Sequence, residues 1–540
     1  MAQRMFGLET EYAVTVFCPR GSVERGELLE RLLGAARRHL TCLPDARSTG
    51  VYLQNGARLY VDTGGHPELA TPECTHPSEL VRYLRAGERI LLDLGRRVQT
   101  EGLRDSQICW FISNVDYSGS GATWGCHESY LHRTSSDALA EQLIPHLVTR
   151  VIYCGAGGFN NLTPALEFTL SPRAFHMERV VSGDSTSERG IFHTKDEPLA
   201  RRGYHRLHLL CGESLCSEIA TWLKIGATAL VVALTEAGFR PGRAVQLADP
   251  LKALRTVAGD LRCRALLELS DGRRLSALQI QRHYLAQVEE RLDHEVMPPW
   301  APEVCHHWRR ILDLLEAAPA SVAGLLDWAI KWNLYAHHAR RRGFSWEILA
   351  QWNDIVADFK AAFPGLDLAR LNAETLISPD SPVLEQAAAL TPRLRQRGLG
   401  WGQLACFEQL RAELLELDTR FGELGERGVF AELDRQGLLD HHAPGADNIL
   451  HAMFNPPACG RARLRGEAVR KLVESQRIGR CHWDAVWDLA TKQVLDLSDP
   501  FAEQEQWQPL KENRDSDAEA AFTHLFEQVL GVRRFGRRRP

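Results

Sequence analysis

The chain has 540 residues, 44% of them hydrophobic and 25% charged, with a net charge of −5. That is the composition of a globular protein with a substantial core, and the small negative charge gives no electrostatic case for nucleic acid as the main partner. The opening MAQRMFGLETEY lacks the parts of a secretory signal, the longest apolar run (225–234) falls short of the roughly 18–20 residues that cross a bilayer, and 13 cysteines without a CxxC pair suit reduced thiols. Together these predict a cytoplasmic protein without membrane contact.

Residues 5–17 read as a strand. Phe6, Leu8, Thr10, Tyr12, Val14 and Val16 would share one face, and Gly7, Glu9, Glu11, Ala13 and Thr15 the other. Glu9 and Glu11 would then stand roughly 6.8 Å apart along the strand. Two carboxylates flanked by Gly and Ala suit a cation site with room for a ligand, although a solvent-exposed strand face carries Glu just as readily. An amphipathic helix follows over 26–40, with Leu28, Leu29, Leu32, Leu33 and Ala36 as its stripe.

The stretch 55–73, NGARLYVDTGGHPELATPE, starts as a strand with Ala57, Leu59 and Val61 on one face and Arg58, Tyr60 and Asp62 on the other. Gly64, Gly65 and Pro67 end it, and His66, Glu68 and Glu73 follow closely. Charges of both signs on one strand face need a reason, because a buried unpaired charge is strongly disfavoured. A bound cation and a phosphate would supply one.

A second helix covers 78–100, with Ser78 and Glu79 as its cap. Residues 108–116 are apolar on both faces, which predicts a central strand. In 125–133, GCHESYLHR, Cys126, Glu128 and Tyr130 alternate with His127 and Ser129. Either Glu128 or His127 could face a site, and a packed core histidine is the preferred reading of His127. A helix over 138–154 leads into GAGGF, which lacks the GxxxxGK[ST] pattern of a phosphate loop. Short segments over 166–170, 192–198 and 204–213 follow, and in the last Arg206, His208 and Leu210 alternate with Leu207, Leu209 and Cys211.

Residues 214–237 read as a core helix, and 251–342 are mostly helical. The adjacent pairs His306–His307 and His337–His338 point apart on a helix, which argues against a metal clamp. Residues 365–400 carry no strong period and read as a surface insertion; 407–421 resume a helix. The segment 455–467, NPPACGRARLRGE, is a basic turn-to-helix that could hold an anion or simply begin a solvated helix. Residues 483–497 alternate like strands. The charged end, closing in RRFGRRRP, reads as a mobile tail.

One device recurs: strands that present carboxylates, Arg or His on one face. Clustered carboxylates suit Mg²⁺, and Arg beside them suits phosphate oxygens. The combination implies nucleotide chemistry without a Walker loop, with a spare carboxylate as base. Asp62 is the candidate base.

GLETEY, NGARLYVD followed by HPE and ATPE, GCHESYL, KDEP with RLH, and RARLRGE resemble the Pup ligase and depupylase family, carboxylate-amine ligases related to glutamine synthetase. The resemblance runs from residue 5 to about residue 500, apart from 365–400. It implies an α+β fold: a large glutamine-synthetase-like domain (1–448) with a curved antiparallel sheet flanked by helices, a small C-terminal domain (449–505) and a charged tail (506–540). It implies magnesium at Glu9, Tyr60 and Glu68, ATP at Arg58, Thr71 and Trp483, and Asp62 as the catalytic aspartate. Glu11, Glu128, Arg206 and His208 stay as further candidates.

The implied reaction uses ATP to phosphorylate the γ-carboxylate of the C-terminal glutamate of a Pup-like modifier. A substrate lysine, deprotonated with help from Asp62, then attacks the acyl phosphate. The implied pathway ends at a bacterial proteasome. The depupylase, which hydrolyses the same bond, typically carries a long extra loop before NGARLY; here residues 18–54, largely one helix, resemble the ligase. A small-molecule glutamate–amine ligase and a non-catalytic adaptor are the other rival readings. The family's usual Thr-Arg-Asp-Glu-Pro reads Thr194-Lys195-Asp196-Glu197-Pro198 here, so a fork becomes a point charge. With 365–400, this marks a divergent branch.

Overall fold

The computed structural model describes residues 3–510, apart from 19–22, 104, 164–165, 185–186, 202, 347–348, 350–351, 354–390, 393–394, 397 and 399–400. The expected insertion at 365–400 lies almost wholly outside the described residues, as does the expected tail beyond 510.

In chain order the first strands are β1 (Phe6–Glu11), β2 (Ala13–Phe17), β3 (Cys42–Pro44), β4 (Val51–Leu53), β5 (Arg58–Val61), β6 (Pro67–Ala70), β7 (Gln107–Phe111) and β8 (Cys126–His132). Then come β9 (Gly158–Phe159), β10 (Phe168–Thr169), β11 (Arg179–Ser182), β12 (Gly190–His193) and β13 (His205–Leu209). Seven of them form one sheet in the order β13-β8-β1-β6-β5-β4-β3, antiparallel at every step. Glu9 stands opposite Ala70 on one side and His127 on the other, and Glu11 opposite Glu68. Tyr60 also faces Glu68, and His208 faces Ser129.

Because side chains alternate along a strand, this register gathers Arg58, Tyr60, Glu68, Glu9, Glu11, His127, Arg206 and His208 on one face. The other face carries Leu8, Leu59, Leu69, Tyr130 and Leu207, all buried. Behind it lie the helices Pro77–Gly102 and Glu218–Glu236. The latter is long and apolar enough to cross a bilayer, contrary to the reading of 225–234, but 94% of it is buried inside the protein. A helix enclosed on all sides is apolar all round.

Three local expectations change. The single strand expected over 5–17 divides at Tyr12, whose N–H makes the last rung to β6, at Pro67 O (3.0 Å), where proline has no N–H to return the bond. Beyond it β2 pairs only with β7. So 108–116 is no central strand: Ile108, Trp110 and Ile112 are buried by the helical core, and Ile112 N–H bonds Gly422 O at 2.8 Å. Third, the cap of Pro77–Gly102 is His76, whose Nδ1 accepts the Ser78 N–H at 3.1 Å. The Ser78 hydroxyl instead accepts the Trp222 indole N–H at 3.0 Å.

A hairpin of β14 (Leu266–Glu268) and β15 (Arg274–Ser276) decorates the helical side. At the far end, β16 (Gly479–His482), β17 (Ala485–Asp488), β18 (Gln493–Asp496) and β19 (Trp507–Pro509) form a four-stranded antiparallel sheet. It packs on the helix Gly460–Glu474 through Leu464, Val469, Leu472, Val486 and Leu495, and Leu43 and Tyr52 of the main sheet complete that core. β19 falls in the stretch expected to be tail. Trp507 pairs with Leu495 and adds the fourth strand.

Candidate active site

The site grows from the register of the main sheet. β1 supplies Glu9 and Glu11, β6 Glu68, β5 Tyr60 and β8 His127. His127 sits among the three carboxylates: Nδ1 is 3.5 Å from Glu68 Oε1 and 3.8 Å from Glu9 Oε2, and Nε2 is 3.8 Å from Glu11 Oε1. Burial opposes charge on this imidazole, but the Glu68, Glu9 and Glu11 carboxylates around it outweigh that and push its pKa up to about 10. For Glu68 the balance tips the other way. Burial, with the charges of Glu9 and Glu11, outweighs His127 and raises its carboxyl above the usual range. Its Oε1 is buried without a hydrogen-bond partner. Burial and the Glu9 and Glu68 charges push the Tyr60 hydroxyl well up, so it stays neutral. An orphaned carboxylate oxygen among hard oxygen donors is the donor set that magnesium takes.

On the β13 side, Arg206 donates to Glu9 Oε1 at 2.5 Å and to Ser129 Oγ at 3.0 Å. Burial disfavours charge on Glu9, but the Arg206 guanidinium and the two histidines hold its carboxyl well below the usual range. His208 Nε2 is 3.5 Å from Glu9 Oε2, yet neither ring nitrogen makes a hydrogen bond. Burial, with Arg206, lowers its pKa to about 4.

Beside this row opens a cavity of about 490 Å³, walled by Glu9, Arg58, Thr71, Lys195, Arg206 and Trp483. Its size suits a nucleotide-sized ligand (roughly 300–1,000 Å³). Thr71 is locked to β1 twice: its hydroxyl accepts the Leu8 N–H at 3.1 Å and its own N–H donates to Leu8 O at 2.9 Å. Arg58 lies over the Tyr60 ring at 3.9 Å and donates to Asp45 Oδ2 at 2.7 Å and Ser48 Oγ at 3.2 Å. Asp196 accepts the Arg206 N–H at 2.8 Å and meets His205 Nδ1 at 2.5 Å, which pins the KDEP segment against β13. Lys195 on that segment reaches Glu197 at 3.2 Å, with both side chains about half exposed. Trp483 enters from the β16–β17 turn.

Asp62 follows β5, in a turn closed by its N–H bonding His66 O at 2.9 Å. Its Oδ1 accepts the His66 N–H at 2.5 Å, and Oδ2 lies 3.4 Å from His66 Nδ1. These bonds outweigh partial burial and lower its pKa. Ligand atoms of Glu11, Asp62 and His66 lie within 4.8 Å of one another, so Asp62 ends the carboxylate row, and it is not among the residues lining the cavity.

Two sequence readings are corrected. Glu128 faces away, into the helical core: its oxygens take the Arg150 guanidinium at 2.6 and 2.8 Å and the Tyr130 hydroxyl at 2.6 Å. Its neighbour His127, preferred as a packed core residue, faces the carboxylates. The alternation in GCHESYLHR was visible, but the face each half takes follows only from the pairing of His127 with Glu9. The arginines of RARLRGE are each paired with carboxylates of the chain itself. Arg461 Nε meets Glu73 Oε1 at 2.7 Å, Arg465 binds both Glu73 oxygens, and Arg463 pairs with Glu467 at 2.9 Å. Sequence reasoning missed Asp45 and named His66 and Glu73 without a role, because none of the three carries a pattern of its own. Their signal is spatial.

Residues 4–360 match a family model described as Pup-ligase protein. The chain is 34% identical over 512 residues to Pup–protein ligase 1 of Rhodococcus erythropolis, covering 93% of this chain and 97% of the relative. It matches a Pup–protein ligase of Rhodococcus opacus (strain B4) with the same identity and coverage. Among solved structures, the complex between the prokaryotic ubiquitin-like protein Pup and its ligase PafA is similar at TM-score 0.71 and 25% identity, over 99% of this chain and 96% of that one. A Pup ligase PafA in complex with ADP is similar at TM-score 0.66 and 25% identity, over 93% and 94% of the two chains.

Proposed function

The chain belongs to the Pup-ligase family, and from that premise we propose that it is an ATP-dependent ligase. It joins the C-terminal glutamate γ-carboxylate of a Pup-like modifier to substrate lysines through an acyl phosphate. The observation that carries this reading is the continuity of one sheet face. It runs from a nucleotide-sized cavity, past the row Glu9, Glu68, Glu11, to Asp62 at the far end.

The residues divide the work by position. Trp483, Thr71 and Arg58 would hold ATP, with Arg58 kept charged by Asp45. Glu9, Glu68 and the Tyr60 hydroxyl would hold magnesium, which when bound neutralises the transferred phosphoryl group and polarises it. Arg206 adds positive charge on the cavity side of the row, where charge develops during transfer. Asp62 is ionised and oriented by His66. It draws the lysine ammonium in by charge and accepts its proton as the amine attacks the acyl carbon, the C–N bond of the isopeptide forming as the C–O bond breaks and phosphate leaves. Glu11 continues the row toward Asp62, and His208 stands beside Glu9 at its other end.

We take 1–448 as the catalytic unit and the following residues through β19 as the small domain, and we place the enzyme in the cytoplasm, upstream of a bacterial proteasome. Purified protein with Mg-ATP and a glutamate-ended Pup-like protein is expected to form lysine conjugates. Asp62→Asn is expected to abolish them while nucleotide binding persists. Cleavage of a preformed conjugate without conjugate formation would make the enzyme a depupylase, and full turnover by Asp62→Asn would remove Asp62 as the base.

A further inference from the structure

Among the described residues Arg465 is the largest charged side chain with no exposed surface: its side chain is 0% accessible. A guanidinium taken fully out of water is costly unless all five N–H groups are used. Here they are. Nε donates to Gly56 O at 3.3 Å, and Nη2 donates to the same oxygen at 2.9 Å and to Glu73 Oε2. Nη1 donates to Glu73 Oε1 and to Trp483 O, both at 3.2 Å. The guanidinium also lies 4.7 Å from the centre of the Trp483 ring. The edge-on ring of Tyr52, at 5.2 Å, holds the indole from a second direction. One residue thus joins the turn before β5, the segment after β6, and the turn that carries Trp483 into the cavity. A lysine, with a compact ammonium and three donors, has no such fork.

We propose that Arg465 is a positioning residue for the nucleotide base: it fixes the Trp483 indole against the cavity by stacking under it and tying down its carbonyl, while Glu73 fixes Arg465. The proposal rests on the reading of the cavity as the nucleotide site. It gives the RARLRGE segment a task other than binding an outside anion. The anion is the chain's own Glu73, whose carboxylate the two arginines hold, against the cost of burial, down to a pKa of about 2.

The test is steady-state conjugation kinetics with ATP varied, on Arg465→Lys, Trp483→Leu and the double variant of the full chain. Losing the stacking platform is expected to raise the KM for ATP about tenfold or more in Trp483→Leu. Arg465→Lys is expected to raise it about three- to tenfold with kcat nearly unchanged. In the double variant the Arg465 change should add almost nothing, because it acts through a ring no longer present. An unchanged KM in Trp483→Leu overturns the nucleotide reading of Trp483 and the proposal with it. A raised KM there, with wild-type KM in Arg465→Lys or with additive effects in the double variant, overturns the proposal and leaves the nucleotide reading standing. If Arg465→Lys does not fold, Glu73→Gln takes its place in the same cycle, since it removes the charge that anchors Arg465.

Discussion

Glu68 and Glu128 are both buried carboxylates on the main sheet, one on each face, and the difference between them is their partners. Glu128 has Arg150 in a two-pronged pair. Replacing it by Gln strands a buried guanidinium, which costs about 3–5 kcal/mol. Chemical denaturation of Glu128→Gln should show that loss, with the KM for ATP unchanged in the protein that folds. Glu68 has an oxygen with no partner and two carboxylates nearby. Glu68→Gln removes the repulsion from Glu9 and Glu11 together with the attraction to His127, and the two oppose each other, so in the metal-free protein its melting temperature should change little. The magnesium needed for half-maximal conjugation should rise about tenfold or more, measured by titrating Mg²⁺ at saturating ATP. A carboxylate kept only for stability would give the opposite pair of results.

At the scale of elements, the site depends on how closely β4 and β5 approach. A Cβ on Gly50 would lie 2.6 Å from the Tyr60 Cβ and 2.8 Å from Leu59 O. Gly50→Ala must therefore push β5 away, at about 1–3 kcal/mol, and carry Arg58 and Tyr60 with it. Thermal melts should show the destabilisation, and conjugation should fall with it. The alternation of β1 and β5 was legible because both have one clearly apolar face. That of β8 was legible as a pattern but not as a direction, since Glu128 on the inner face is neutralised by a residue 22 positions away. The hydrophobicity of β7 was also readable, but helices can bury a strand as completely as neighbouring strands do. Apolarity on both faces therefore did not make it central.

For the whole molecule, the junction between the main sheet and the small sheet is charged and buried. Glu73 lies between Arg461 and Arg465, and its pKa is depressed from 4.5 to about 2. A carboxylate depressed by folding contributes stability that is fully present above its unfolded pKa near 4.5 and is lost as pH falls toward 2. The full contribution is about 3 kcal/mol. Denaturation of wild type and Glu73→Gln between pH 3 and 6 should show a steeper fall in the wild type on the acid side, and a smaller stability for the variant at neutral pH. Equal slopes would mean that the junction does not depend on this carboxylate.

The sequence alone determined what is written in local order: the alternating strand faces, the amphipathic helices, the grouping of Arg58 and Tyr60 on one side of one strand, though not of Asp62, which lies in the turn beyond it, and the family motifs. Each of these depends on residues a few positions apart, where backbone period decides which side chains point together. The tertiary structure decided what depends on pairing between distant segments. Opposite Glu9 it set His127 rather than Glu128; it buried Glu128 against Arg150, and it turned RARLRGE inward onto Glu73 and Trp483. A charge in the sequence carries no record of the partner that will neutralise it, and in this protein those partners separate the charged face of the sheet from the one packed on the helices.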